Sequence, residues 1–577
     1  MSGERTFFRR HRRVVWTGGA VLVALAALAV TATVLARRVE PYLRTQIVQA
    51  LAERLRARVE LDSFHVALVG GAQGQWGVVA VGRGLRIWPS QQPPASASAS
   101  ATPLIQIDEF NFHAPLRYRP GKPIAISLVR LSGFTIHVPP RLARPPSVLS
   151  TPTLSAHTAT WAQLVVERME CEHAELVLET DKPNKLPMSF AIQKLRLNHV
   201  AAADALQFQA ELANPRPVGL IHTSGSFGPW QTDDPGASPV QGSYQFDHAD
   251  LRSFRGLAGM LHSTGSFEGT LHDVTVDGDA DVPDFSLDRF GSPMPLHAHF
   301  HARVDGTDGD TWLDSVLATL GHSRFTTRGR IVRMKTLLEN GGTAPSSPQS
   351  PAATPVAGHD ILLDIDVEKQ RIEDFLRFTN QKQQPLLTGI VTAQARLHIP
   401  PGKAELQQRL TLGGAFQIEQ ARFTSDKIQS MVDELSLRGQ GRPGEVRKPQ
   451  PEAIDSQMKS HFQLDHAVVT LPDLDYTVPG AEIQLKGSYG LTGGTLSFDG
   501  KARMQATVSQ MVGGWKGLLL KPADRFFRKD GAGTLIPIHI TGTRDAPHFS
   551  VDVGGIKGAG THPQRPDEQP AGQPTPP

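Results

Sequence analysis

Three histidines alternate along one stretch of this 577-residue chain: His297, His299 and His301, interleaved with Leu296, Ala298 and Phe300. On a strand, side chains two apart share a face, so the three imidazoles project together. Neutral imidazoles at that spacing can bind zinc or copper. No acidic or cysteine ligand lies close by in sequence, and an outward polar face explains the pattern without a metal, so that reading is preferred. Cys171, His173 and Glu175 share a face by the same rule, and Val165 and Val177 continue it, which points to packing. Asp277, Asp279 and Asp281 have the opening of a calcium loop, but Val282 stands where it needs Gly and Asp288 where it needs Glu. A turn with solvated carboxylates fits better. The chain has no Gly-x-Ser-x-Gly, no Gly-x4-Gly-Lys-Ser/Thr and no His-Glu-x-x-His. Trp515-Lys516 beside Gly513-Gly514 reads as membrane- or lipid-facing rather than as a phosphate loop. The expectation is a protein that is not an enzyme, with no catalytic residue and no cofactor.

The elements that must carry these residues are bounded by composition. With 53 Gly and 44 Pro the chain turns often, and its one cysteine excludes an internal disulfide. A net charge of +3 over this length carries no nucleic-acid footprint. Val14 to Ala36 is an uncharged run that includes Val14, Trp16, Leu22, Leu25, Leu28 and Leu35. As a helix it would be roughly 34 Å long, enough to cross a bilayer. Arg9, Arg10, Arg12 and Arg13 precede it, so residues 1–13 read as a cytoplasmic basic tail and the body as translocated. Arg37-Arg38 directly after the run is a poor cleavage context, which favours a retained anchor over a signal peptide. Pro41 then opens a helical pattern through Leu43, Ile47, Leu51 and Leu55, a juxtamembrane helix within 37–58 that caps the following sheet, with Arg54, Arg56 and Arg58 near the membrane.

From residue 59 the dominant period is two. Thr495 to Ser509 alternates over fifteen residues, with Leu496, Phe498, Met504 and Val508 on one face and Asp499, Lys501 and Arg503 on the other. Leu206-Phe208, then Leu296-Phe300-Val304, and Phe549-Val551 repeat the pattern. The apolar members (Leu206, Phe208, Leu296, Phe300, Val304, Leu496, Phe498, Met504, Val508 and Phe549) are the candidate lipid-contacting residues. A Gly-Ser/Ala-aromatic phrase recurs at Gly225, Gly242, Gly265, Gly414 and Gly487, without a strict period. Helices are expected at Lys369–Thr379 and, broken by Gly513-Gly514 and Pro522, at Ser509–Phe527. The resulting division is a β region over 59–339 with Pro-rich loops at 90–103 and 139–152, a linker over 340–358, a second β region over 359–553, and a disordered tail over 554–577.

Leu410–Gly441, Leu491–Phe527 and Gly531–Gly554 together resemble the AsmA-like family of bacterial envelope proteins. The resemblance lies in a long alternating strand, an interrupted helix, an Ile-Pro-Ile strand and a closing Gly-Thr…Ala-Pro-His-Phe, in which His548 is an insertion relative to the family phrase. Val276–Leu287 resembles a further strand–turn–Pro-Asp-Phe phrase of the same proteins. The resemblance implies a mainly β fold: an N-terminal transmembrane helix, then an elongated, curved, mostly antiparallel β-groove with a few short helices. It implies the bacterial inner membrane, one pass, with the N-terminus in the cytoplasm and the body in the periplasm. The expected function is binding and transfer of phospholipid between envelope membranes through an apolar β-groove. Long half-apolar strands with few aromatics or helices to cover them favour it independently. Membrane lipids are the expected partners, with an envelope protein partner as a further one. The alternative is a structural or assembly factor for outer-membrane proteins or envelope homeostasis, working by protein contacts such as strand addition. An envelope hydrolase is the third class.

Overall fold

Alternating sequences need a partner on each side to satisfy their backbone groups, and here nearly every strand finds both in its neighbours along the chain. The computed structural model describes residues 41, 44–45, 47–49, 51–53, 57–70, 76–88, 102–115, 124–138, 164–180, 185, 187–200, 205–229, 231, 234–254, 256–287, 292–336, 356–378, 384–402, 404–445, 455–491, 493–512, 534–544, 546–553 and 556–557. The membrane-anchor candidates Val14, Trp16, Leu22, Leu25, Leu28 and Leu35 lie outside them, as do 139–152, 340–355 and 558–577. Among the described residues no helix is long and apolar enough to cross a membrane.

The strands begin with β1 (Arg58–Gly70), β2 (Trp76–Trp88), β3 (Ile105–Pro115), β4 (Ile124–Ile126), β5 (Val129–Val138), β6 (Leu164–Leu178) and β7 (Met188–Val200). They continue as β8 (Leu206–Pro215), β9 (Val218–Phe227), β10 (Pro239–Asp250), β11 (Leu257–Ala258), β12 (Met260–Thr270), β13 (Asp273–Leu287) and β14 (Met294–Val304). Next come β15 (Thr311–Leu320), β16 (Ser323–Thr336), β17 (Val356–Arg371), β18 (Leu387–Ile399) and β19 (Thr411–Phe423). The last are β20 (Gln457–Asp465), β21 (Val468–Val478), β22 (Ala481–Gly490), β23 (Thr495–Met504), β24 (Thr534–Thr543), β25 (Ala546–Val553) and β26 (Ile556–Lys557). One continuous sheet takes 24 of them, the two-residue strands β11 and β26 adding short side ladders. Pairing is antiparallel between chain neighbours except at β6, which runs parallel to both β4 and β5. Those two lie end to end on β6, so they are one interrupted strand.

Among the described residues, four helices after β1 sit at strand ends: α1 (Ile372–Phe378), α2 (Leu406–Arg409), α3 (Asp426–Gly439) and α4 (Val508–Val512). Ile372, Phe375 and Leu376 of α1 pack on the core of the C-terminal half. The fourteen-residue α3 is not anticipated by the sequence reading, although Ile428, Val432 and Leu435 have helical spacing behind Ser425. The fifteen-residue strand expected from Thr495 ends at Met504 instead. Gln505 and Ala506 donate their N–H groups to Gly480 O and Gly439 O, both at 2.9 Å, outside the ladder. Val508 accordingly opens α4. β17 starts at Val356, so the last three residues of the linker expected over 340–358 are strand, and Ile556, within the tail expected from 554, pairs with Val553. The helical residues between 41 and 53 set Ile47, Val48, Leu51 and Ala52 against the core of β1–β7, and Arg44 donates to Leu61 O at 2.8 Å.

Candidate functional site

Residues directly opposite on neighbouring strands point to the same face, so the register traces that face across the molecule. Leu206 lies opposite Phe227, and Phe208 opposite both Gly225 and Leu197. Leu296 lies between Val282 and Leu320, Phe300 between Gly278 and Val316, and Val304 between Val274 and Thr311. Leu496 faces Tyr489 and Gly542, Phe498 faces Gly487 and Ile540, Met504 faces Ala481, and Phe549 faces Ile540. Nine of the ten candidates therefore belong to one apolar ladder; Val508, in α4, does not. Leu206, Phe208, Leu296, Phe300, Val304 and Leu496 are half-buried, Phe498 and Met504 are buried, and Phe549 is 38% exposed. Half-burial of large apolar side chains across so many strands leaves apolar surface that no second layer of the described residues seals.

The Gly-Ser/Ala-aromatic phrase acquires a physical role on this face. A Cβ at Gly265 would stand 2.8 Å from the Tyr244 ring, one at Gly242 2.9 Å from Phe267, and one at Gly487 2.6 Å from Phe498. Each glycine leaves room for an aromatic ring of the adjacent strand to lie over the backbone. Tyr244 completes its contact by a hydroxyl–hydroxyl hydrogen bond with Ser263 at 3.1 Å, and burial raises its phenol above the ordinary value. Burial likewise pushes the Tyr476 phenol up to about 12.

On the opposite face the register brings together two motifs that are separate in sequence. Asp281, Asp279 and Asp277 of β13 lie directly opposite His297, His299 and His301 of β14. The imidazole Nδ1 atoms stand 2.5, 3.0 and 3.5 Å from the respective carboxylates. His262–Asp247, His398–Asp360 and His539–Asp499 repeat the one-to-one pairing elsewhere on the sheet. Among the described residues no three of His, Cys, Asp and Glu gather where a metal ion could be held. Cys171, His173 and Glu175 do not share a face, contrary to the alternation rule. His173 adopts φ 59° and shifts the phase, so Cys171 is buried opposite Leu195 while Glu175 turns out to accept from Ser189. Burial drives the Cys171 thiol up to about 11.

A hollow of about 500 Å³ on the C-terminal half is lined by Asp366, Glu368, Lys459, Ser460, His461 and Asp473, among others. His461 Nδ1 lies 2.6 Å from Asp473 Oδ2 and holds that carboxyl below its ordinary range. Ser460 Oγ donates to Asp473 at 3.2 Å and to His461 O, not to the imidazole ring. The composition of a nucleophilic triad is present without its connectivity.

No family model, curated protein or solved structure matches this chain. The chain's own geometry therefore carries the functional reading.

Proposed function

We propose that the apolar face is a groove that shelters the acyl chains of phospholipid, in an envelope protein held at the inner membrane by residues 14–36 with its body in the periplasm. The observation that carries this reading is the apolar ladder from β1 to β25, half-buried over much of its length and covered by few helices. A face of this kind favours a ligand with long apolar chains and little need for polar recognition. The paired His, Asp, Arg and Glu side chains of the other face meet water. The AsmA-like resemblance of the C-terminal third leads to the same reading.

A photoactivatable residue at Phe300, in the full chain expressed in a two-membrane bacterium, tests it. Phospholipid should be captured there and not from a probe at the neighbouring, outward His299. Equal capture from both positions, or none from Phe300, would remove the groove reading. The outer side of β25, paired among the described residues at Asp552 and Val553, supports strand addition by an envelope protein as the second reading.

A further inference from the structure

Strand ends far apart in sequence meet along a seam. Lys185, between β6 and β7, pairs with Asp308 at 3.1 Å and with Asp310, both between β14 and β15. The Lys185 and Asp308 side chains are 8% and 3% exposed. Arg333 of β16 donates through Nη2 to Pro187 O at 3.2 Å and through its backbone N–H to Asp310 at 3.0 Å. Phe254, between β10 and β12, sets its ring edge-on to His359 of β17 with centroids 6.3 Å apart. A Cβ at Gly256 would stand 2.7 Å from Cβ of Leu406 in α2.

From Lys185 to Asp308 the ladder crosses β7, β8, β9, β10, β12, β13 and β14; from Gly256 to Leu406 it crosses β12 to β18. Both paths hold the same odd number of antiparallel strands, so each contact joins loops from opposite rims of the sheet. A sheet achieves that by winding as a coil, with one rim of a turn resting on the other rim of the next. Strands at ~4.8 Å spacing and eleven-residue strands of ~36 Å give such a coil a perimeter of roughly 50 Å and a radius of about 8 Å. That is the bore of an eight-stranded barrel, which fills with its own side chains or admits one slender ligand.

We propose that between β7 and β18 the apolar face is a covered passage, latched by Lys185 on Asp308 and Asp310 and by Arg333 on Pro187 O, along which lipid moves lengthwise in single file. Lateral entry is then confined to the stretches before β7 and after β18. The inference rests on the acyl-lipid reading of the face. The latch itself is a buried charge cluster: removing one partner while the rims stay closed would strand a charge away from water, so the cluster fixes which rim positions meet.

A cysteine pair, Met188→Cys with Gly309→Cys, tests the closure in the full chain. A Cβ at Gly309 would lie 3.4 Å from Sδ of Met188. Cys171 needs no replacement, because its thiol is buried and poorly ionised. A short bifunctional maleimide should join the pair at least about tenfold faster than it joins Gly309→Cys to Val468→Cys, an exposed site near the C-terminal end. Because Gly309 has φ 82°, Phe254→Cys with His359→Cys serves as a second pair, at the other junction and with the latch intact. With the seam locked, phospholipid capture at Phe300 should stay within about twofold of the unlocked chain, since lengthwise passage needs no opening. Reactive thiols that fail to join, in both pairs, would show the rims apart and overturn the proposal. Loss of capture on locking would show that the seam opens to load, and would overturn it equally. Absence of capture in the unlocked chain would count against the lipid reading alone, and the crosslinking yield would then decide the seam by itself.

Discussion

Phe498 and Asp499 are neighbours in sequence and stand in different surroundings. Phe498 is buried opposite Gly487 and Ile540, whereas Asp499 pairs at 2.6 Å with His539 on the solvated face. Phe498→Asp places an unpaired carboxylate among apolar side chains and should cost about 3 kcal/mol or more, lowering the melting temperature and abolishing lipid capture. Asp499→Lys loses one exposed pair and should cost below about 1 kcal/mol. Thermal unfolding of the two variants checks this, and equal losses would mean that both faces are covered. Gly265→Val makes the complementary test. Its side chain would collide with the Tyr244 ring and with Asp277 O, so unfolding should fall by about 1–3 kcal/mol, while Ser266→Val on the outer face should leave stability nearly unchanged.

At the scale of elements, His359 reports on the seam. Burial lowers its basicity below the ordinary 6.5, and Arg333 and Arg216 lower it further, against an opposing effect of Asp310; the Phe254 ring packs edge-on from the neighbouring turn. An imidazole held neutral on folding contributes stability that is full above its unfolded pKa and is lost as pH falls through and below that value. Acidification from about pH 7.5 to about 5.5 should therefore lower the amide protection factors, taken relative to the intrinsic exchange rate at each pH, around Phe254 and in the first residues of β17, and His359→Gln should remove that dependence. An unchanged exchange profile would place His359 off the seam. Such contacts are illegible in sequence, because they join segments about a hundred residues apart. The strands themselves are legible, since period-two alternation is local, and so is the face of Phe300 or Leu496. What alternation cannot foresee is a phase shift: His173 at φ 59° turns Glu175 away from Cys171. Nor can it foresee register, which alone sets Asp277, Asp279 and Asp281 against His301, His299 and His297. The α3 helix is legible in the spacing of Ile428, Val432 and Leu435, which the sequence reading leaves unused.

At the scale of the molecule, winding trades length for enclosure. The 24 strands fill 23 positions, since β4 and β5 share one; laid flat these would span ~110 Å, and with the strands from β7 to β18 wound so that each advances ~3.5 Å the whole spans ~95 Å. Electron microscopy of the full chain should show a rod of about that length with a rounded cross-section, and a thin, longer strip would contradict the winding. A shorter body makes it harder for one chain to carry lipid across the space between two membranes. Apolar passage has to be continuous, because an acyl chain leaving the ladder into water loses about 0.8 kcal/mol per exposed CH₂. Phe549 lies on β25, the last strand of the main ladder, and is exposed on the apolar side. On the acyl-lipid proposal, an apolar residue exposed among the described residues at the end of the ladder calls for a continuing surface from another protein. A photocrosslinker at Phe549 in intact cells should therefore capture a protein of the outer envelope as well as lipid, whereas the same probe at Thr541, on the polar face of β24, should capture neither. Capture of lipid alone at Phe549 would mean that this chain hands its cargo directly to a membrane, and the partner would have to be abandoned.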